Sequence, residues 1–182
     1  MCRIAGIVNK NFQPEAILSA VQEMCNALQH GGPDDEGFFV SKEDSVVFGN
    51  RRLALQDLSM NGHQPMHYKD RYTITYNGEL YNFPDLKKEL VSLGHTFQNQ
   101  TDTEVVLAAF AQWDTHAFAR FNGMYAFALY DALKRCVYLV RDAAGIKPVY
   151  YSTSSGGLSF ASEVRAMKKL PDLPEASANW PI

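Results

Sequence analysis

Runs rich in β-branched and aromatic residues recur along this chain at 2–8, 37–41, 45–48, 72–76, 125–130, 136–140, 149–151 and 158–160. Polar Lys42-Glu43-Asp44 between the second and third runs reads as the turn of a hairpin, and the last four read as antiparallel strands joined by short turns. Helical stretches lie between the groups of strands and after them. That order predicts an α+β domain in which two antiparallel sheets pack together with helices outside.

The helices are marked by period and punctuation. From Pro14, the residues Ile17, Leu18, Val21, Met24, Cys25 and Leu28 recur at helix spacing, and His30-Gly31-Gly32-Pro33 stops them. Residues 82–93 predict a second helix capped by Asn82. Thr101-Asp102-Thr103-Glu104 matches a capping box ahead of the apolar stretch 105–110, so Asp102 falls at a helix start. A short helix at 117–121 and a last one from Ser162 to about Leu170 complete the set. Residues 59–66 are too polar and broken for an element and read as a loop. Asn77-Gly78 is a turn signal directly after the strand 72–76, although no second strand follows at hairpin distance. Residues 1–170 therefore read as one domain, and 171–182, with three prolines and no period, as a linker or the truncated start of a following domain.

A chain of 182 residues that is 46% hydrophobic can bury one sizeable core. The net charge of −3 gives no basic footprint for nucleic acid. No apolar run approaches the ~20 residues of a membrane span, and no stretch has the parts of a secretion leader, so the expected protein is cytoplasmic with no membrane or nucleic-acid partner. The 3 cysteines lack disulfide or metal spacing. Cys25 and Cys136 sit in apolar patterns and read as reduced core residues. His63 and His67 are spaced like half of a zinc site, but no cysteine pair accompanies them. They read as loop histidines, and no metal is expected.

Cys2 is left to explain. Met before a small residue is ordinarily trimmed, which would leave a thiol and a free α-amine on one residue. The amine titrates near ~7.7–8.0 and the thiol near ~8.5, so the amine can serve as the base that activates the thiol against a carbonyl. The plain alternative is a cysteine that is only the second residue of a strand. An attack on an acyl carbon also needs oxyanion donors and groups that grip the substrate. Asn77-Gly78 offers a side-chain amide and an unobstructed N–H. Arg52 can take a carboxylate by a bidentate contact, and Glu79 and Asp102 can hold an ammonium. A substrate with a carboxylate, an ammonium and a remote amide is an amino acid such as glutamine. Each residue also has a bland reading: a turn for Asn77-Gly78, solvated arginines at 51 and 52, and a favourable helix-end charge for Asp102.

The ordered motifs are more specific than any single residue. They are Cys2-Arg3-Ile4-Ala5-Gly6, His30 through Gly37, Arg52-Leu53-Ala54, Gly62-His63-Gln64-Pro65-Met66, Tyr76-Asn77-Gly78-Glu79-Leu80-Tyr81-Asn82, Thr101-Asp102-Thr103-Glu104-Val105, Gly123 through Asp131, Arg141-Asp142 with Gly145-Ile146-Lys147-Pro148, and Phe160-Ala161-Ser162-Glu163. Over nearly its whole length the chain resembles the glutaminase domain of class II glutamine amidotransferases, which are N-terminal-nucleophile (Ntn) hydrolases, and most closely the asparagine synthetase branch. The resemblance implies the four-layer Ntn sandwich, with two antiparallel sheets between helix layers. It makes Cys2 the nucleophile, with its amine as base, and Asn77 and Gly78 the oxyanion hole. Arg52 would bind the α-carboxylate of L-glutamine, with Glu79 and Asp102 at its α-amino end.

The implied reaction forms a thioester with loss of ammonia and then hydrolyses it to glutamate, with no cofactor. ATP and Mg belong to the synthetase domain that follows in the family and would receive the ammonia as a domain or partner subunit. The oligomeric state stays open, a homodimer included. Two departures stand out. The family usually has Arg-Gly-Pro-Asp where this chain has Gly31-Gly32-Pro33-Asp34, and the chain stops at Ile182, before a synthetase domain. Ser154-Ser155-Gly156-Gly157-Leu158-Ser159 looks like a pyrophosphate loop but lacks its Asp and falls between two strands, so it reads as a hairpin turn. The alternatives carried forward are an amidotransferase serving another acceptor, a sugar or β-lactam precursor, and a catalytically silent binding module.

Overall fold

A computed structural model describes residues 2–54, 60–153 and 156–170. In chain order the strands and α-helices are β1 (Arg3–Val8), α1 (Pro14–Leu28), β2 (Asp35–Ser41), β3 (Val46–Arg52), β4 (Met66–Tyr68), β5 (Tyr72–Leu80), α2 (Phe83–Ser92), α3 (Asp102–Trp113), β6 (Gly123–Asp131), β7 (Cys136–Arg141), β8 (Tyr150–Ser152), β9 (Leu158–Ala161) and α4 (Val164–Met167). The first sheet runs β2-β3-β1-β9-β8 and the second β4-β5-β6-β7. Every pairing is antiparallel.

Three apolar cores define four layers. α1 lays Ile17, Val21, Met24, Cys25 and Leu28 against Ala5, Ile7, Val47 and Ala161 on the outer face of the first sheet. Ile4, Val46, Phe48 and Phe160 of that sheet meet Ala128 and Tyr130 of the second. α2 and α3 cover the second sheet's outer face, where Leu86, Leu90, Val106, Leu107 and Phe110 pack on Ile74, Tyr76, Phe127 and Leu129. Burying one such aliphatic or aromatic side chain contributes about 1.5–3 kcal/mol, so all three interfaces are substantial. The period-2 alternation of the strands sorts their residues between these cores. On β1 and β3 the even-numbered residues face the second sheet; on β5 the odd-numbered residues face the first.

Several expectations from the sequence need correction. Asn77-Gly78 is not a turn. The ladder between β5 and β6 runs unbroken from Tyr72 opposite Asp131 to Leu80 opposite Gly123, and its hydrogen bonds outweigh the local turn preference of the dipeptide. Glycine serves there in a different way: a Cβ on Gly78 would stand 2.4 Å from the carbonyl oxygen of Met124 and 2.7 Å from Cα of Tyr125. Asn82 is the N-cap residue of α2 as expected, but its side chain makes no cap bond. Its side chain donates to the Arg120 carbonyl at 2.9 Å and accepts from the Asn122 N–H at 3.0 Å, tying β5 to the start of β6.

Only half of the capping box forms. Glu104 N–H donates to Thr101 Oγ1 at 3.4 Å, while the Glu104 carboxylate accepts from Gln98 and Asn99 N–H instead of reaching back. The last helix is confined to α4, and His67 lies on β4 rather than in a loop. Arg51 and Arg52 are buried, against the bland reading of solvated arginines. Cys136 is half-buried, not a core residue, because it opens β7 at the margin of the second sheet. The stretch 171–182, Leu55 to Ser59, and Ser154-Ser155 lie outside the described residues.

Candidate active site

The alternation of the strands brings the predicted residues to one end of the space between the sheets. Ile4, Phe48 and Asn50 face that space, so Cys2 and Arg52, in the same phase, face it as well. Arg3 opposite Arg51 in the ladder sets Cys2 level with Arg52. From the second sheet, Thr75 crosses the gap to donate to the Gly49 carbonyl at 3.1 Å, which puts Asn77 and Glu79 on the same inward face. Asn50 completes the bridge through Nδ2, donating to Thr75 Oγ1 at 3.1 Å and Gln64 Oε1 at 3.2 Å.

Cys2 is half-buried. Its sulfur accepts the Leu53 N–H at 3.4 Å and lies 3.7 Å from the Leu53 carbonyl. Burial pushes the thiol up from its ordinary value, whereas the Leu53 N–H and the positive charge of Arg52 favour the thiolate. Arg52 is itself 7% exposed, and its Nη1 stands 4.0 Å from Asp35 Oδ2 on the adjacent strand. Asp35 also takes His63 Nδ1 at 2.8 Å. The His67 Nδ1 is 2.9 Å from Thr73 Oγ1. Among the described residues no group of three or more His, Cys, Asp and Glu side chains stands together as a metal site.

Asn77 is 2% exposed, and its Oδ1 has no hydrogen-bond partner. A carboxamide is nearly symmetric in shape, so a half-turn of its last torsion sets an N–H in the place of that unpaired atom. The main chain beside it has a matching vacancy. Tyr125 uses its N–H and carbonyl on Asp142, so Gly78, opposite Tyr125, turns its own N–H away from β6. On that edge β4 pairs only as far as Ile74, Tyr76 N–H goes to Gln64 Oε1 at 2.6 Å, and Leu80 N–H to Asp102 Oδ2 at 2.8 Å. Between those two, the described residues offer the Gly78 N–H no acceptor. Orphaned donors of this kind are uncommon in a buried strand.

Asp102 comes to this edge from the first turn of α3 and is 5% exposed. Its Oδ2 also accepts the Tyr76 hydroxyl at 3.0 Å. Burial pushes its carboxyl up, against the Leu80 N–H and the Tyr76 hydroxyl, and the charge of Glu79 pushes the same way as burial. A buried carboxylate with a second acidic side chain beside it would draw a cation. Among the described residues no hydrogen bond joins Cys2 or Arg52 to Asn77, Glu79 or Asp102; the two groups face each other from opposite sheets.

Lys147, Arg3 and Leu53 belong to the same neighbourhood and had no role in the sequence reading. Lys147 feels burial, which lowers its ammonium, and the charges of Glu79, Arg3, Asp142 and Cys2. With Arg3, Asn77 and Ser162 it borders a cavity of about 730 Å³ at the end of the sandwich. The Gly145-Ile146-Lys147-Pro148 motif was the available signal for Lys147. A backbone donor such as Leu53 leaves none.

The model of a family described as the glutamine amidotransferase domain matches residues 1–180. Asparagine synthetase [glutamine-hydrolyzing] 3 of Bacillus subtilis is 40% identical over 176 residues, which is 95% of this chain and 28% of that protein. Asparagine synthetase B [glutamine-hydrolyzing] of Escherichia coli is 30% identical over 99% of this chain and 33% of its own length. The chain thus spans about a third or less of these relatives. Among solved structures, the glutamine phosphoribosylpyrophosphate amidotransferase of B. subtilis has the same fold, with a TM-score of 0.74 and 19% identity over 92% of this chain and 43% of that one. Two packed antiparallel sheets, a cysteine at the end of the first and a family match along almost the entire sequence lead to one conclusion: the chain belongs to the glutamine amidotransferase domain family.

Proposed function

We propose that this domain releases ammonia from the side-chain amide of L-glutamine through a thioester on Cys2. The observation that carries the reading is the vacant donor pair on β5. The unpartnered Gly78 N–H and the unpaired Asn77 carboxamide follow on β5 from the Thr75–Asn50 bridge that joins it to the strand of Arg52. An oxyanion needs such donors, already oriented and short of acceptors.

Removal of Met1 would expose the α-amine of Cys2. That amine takes the thiol proton as sulfur attacks the amide carbon, and the carbonyl oxygen becomes an anion held by Asn77 and Gly78. The C–N bond then breaks, the amine returns its proton to the departing nitrogen, and ammonia leaves. Water attacks the thioester by the same route and glutamate is released. Arg52, whose Nη1 also stands 4.0 Å from Asp35 Oδ2, receives the α-carboxylate. Glu79 and Asp102 face the α-ammonium. The names of the relatives support an asparagine-synthetase-type acceptor domain as the consumer of ammonia, and the resemblance makes that domain ATP-dependent. Free cysteines at 2, 25 and 136 fit a reducing compartment, and the cytoplasm is the one proposed.

The test is intact mass and glutamate release, before and after exposure to a diazo-ketone analogue of glutamine. Loss of Met1, a single adduct on Cys2 and no glutamate from Cys2→Ala are expected. Hydrolysis that survives Cys2→Ala overturns the reading of Cys2 as nucleophile, and a trimmed protein that takes no adduct overturns it in favour of a binding module.

A further inference from the structure

β9 leaves the side of β1 just before the residue that carries the candidate nucleophile. Ile4 turns both its main-chain groups toward β9, its N–H to Ser162 Oγ and its carbonyl to the Ser162 N–H, each at 2.9 Å. Cys2, two residues earlier, presents its carbonyl to the same side. There β9 has already ended at Ala161, and the chain enters α4 at Val164, so the sheet supplies no donor. Arg3 supplies one from its side chain, with Nη1 donating to the Cys2 carbonyl at 3.2 Å.

The guanidinium is anchored at its other edge. Nε of Arg3 donates to Glu163 Oε1 at 2.6 Å, and Glu163 is also met by His30 Nε2 at 3.0 Å and Arg165 Nε at 2.9 Å. The arginine gets there by crossing Gly31. A Cβ on Gly31 would stand 2.7 Å from Cγ, Nε and Cζ of Arg3, so the path is open only while residue 31 has no side chain.

We propose that Arg3 is a positioning residue for Cys2, reaching its carbonyl through the space that Gly31 leaves open. The inference rests on the reading of Cys2 as nucleophile. Once Met1 is removed, no preceding chain holds Cys2, and the residue is tied to the fold by its carbonyl and by the Leu53 contact of its sulfur. Without Arg3 that carbonyl loses its one donor among the described residues, and only the Leu53 contact of the sulfur resists a pivot about the bond that leads into β1. A displacement of 1 Å at a reacting atom costs up to about 10²-fold in rate. The sequence pattern that this chain resembles places an arginine at 31. Here residue 31 is glycine, and the side chain of Arg3 occupies the space beside it.

The test compares three variants for glutamine hydrolysis, with rates expressed per folded molecule. Arg3→Met is expected to lower kcat by about tenfold or more while KM stays within about twofold. Diazo-ketone labelling of Cys2 should slow by the same factor, which a merely structural loss would not produce per folded molecule. Gly31→Ala, which displaces Arg3 without touching its chemistry, should show the same pattern. Arg3→Ala/Gly31→Arg moves the guanidinium back and should recover most of the rate. Wild-type kcat in Arg3→Met or in Gly31→Ala overturns the proposal, as does a double variant no faster than Arg3→Met. If instead the unaltered protein takes no label at Cys2, the nucleophile reading has failed and not the positioning role.

Discussion

Asn50 of β3 donates from Nδ2 to Oγ1 of Thr75 of β5 at 3.1 Å, and this contact between the two sheets stands two residues before Arg52 on one strand and two before Asn77 on the other. Asn50 is 0% exposed and also reaches Gln64 Oε1 and the Tyr76 carbonyl. Asn50→Ala should cost about 1–3 kcal/mol, the usual range for stranding buried partners. A fall in the denaturant midpoint with an unchanged slope would report it. Combined with Thr75→Val, the losses should not add, because both remove the same bridge. Strict additivity would sink this account of how the sheets are held in register.

Asn77 and Gly78 are neighbours with different structural duties, and their variants should separate rate from stability. The Asn77 side chain satisfies no other group through Oδ1, so Asn77→Ala should lower kcat by about 10²–10³-fold, the cost of an oxyanion donor, with a small change in stability. Gly78→Ala drives a methyl group toward the Met124 carbonyl, 2.4 Å away. That variant should lose a similar rate and also about 1–3 kcal/mol through overpacking. Calorimetry beside steady-state kinetics checks both; a Gly78→Ala protein of normal stability would mean that β5 and β6 are not so closely apposed.

The candidate site was legible in the sequence as a set of residues but not as a geometry. Cys2, Arg52, Asn77, Gly78, Glu79 and Asp102 were each picked out by chemistry and motif. Their common orientation depends on the phase of strand alternation across two sheets, and the turn expected at Asn77-Gly78 broke that phase at the critical point. Local preference for a turn is worth little against a ladder that pairs each residue of β5 from Tyr72 to Leu80. The layers of the fold were readable because strand and helix periods are local. Burial of Arg51 was not, since its partners, the Cys25 carbonyl at 3.1 Å and Asn26 Oδ1 at 3.1 Å, lie far away in sequence at the end of α1.

Titration of Cys2 follows from what surrounds it. Burial raises the thiol pKa, and the Leu53 N–H and Arg52 act against burial. Alkylation of Cys2 by iodoacetamide should therefore reach half its maximal rate at a higher pH than alkylation of an unhindered cysteine. Removing a cation disfavours the thiolate, so Arg52→Met should move that midpoint further up. A downward shift, followed by mass spectrometry across the pH range, would contradict the assigned neighbourhood of the thiol.

Acid should unfold the domain partly through Asp131. This carboxylate has a side chain 0% exposed and grips Arg71 at both oxygens, Nε to Oδ1 at 2.8 Å and Nη2 to Oδ2 at 2.7 Å. Burial alone would raise its pKa, but the Arg71 fork and the N–H groups of Lys134 and Leu133 hold it below the ordinary value. A carboxyl depressed in the folded state stabilises the protein at pH above its unfolded value, ~3.9. That stability is lost as pH falls through the folded value. Asp142, held down by the N–H groups of Lys147, Ile146 and Tyr125 against the effect of burial, adds to the same limb. Urea midpoints should accordingly stay level from neutral pH and drop below about pH 4. In Arg71→Met the Asp131 carboxyl is buried without its cation, so its pKa rises, and the midpoint should be lower at pH 7 and begin to fall at a higher pH. An Arg71→Met curve parallel to wild type would show that the fork contributes nothing to acid stability.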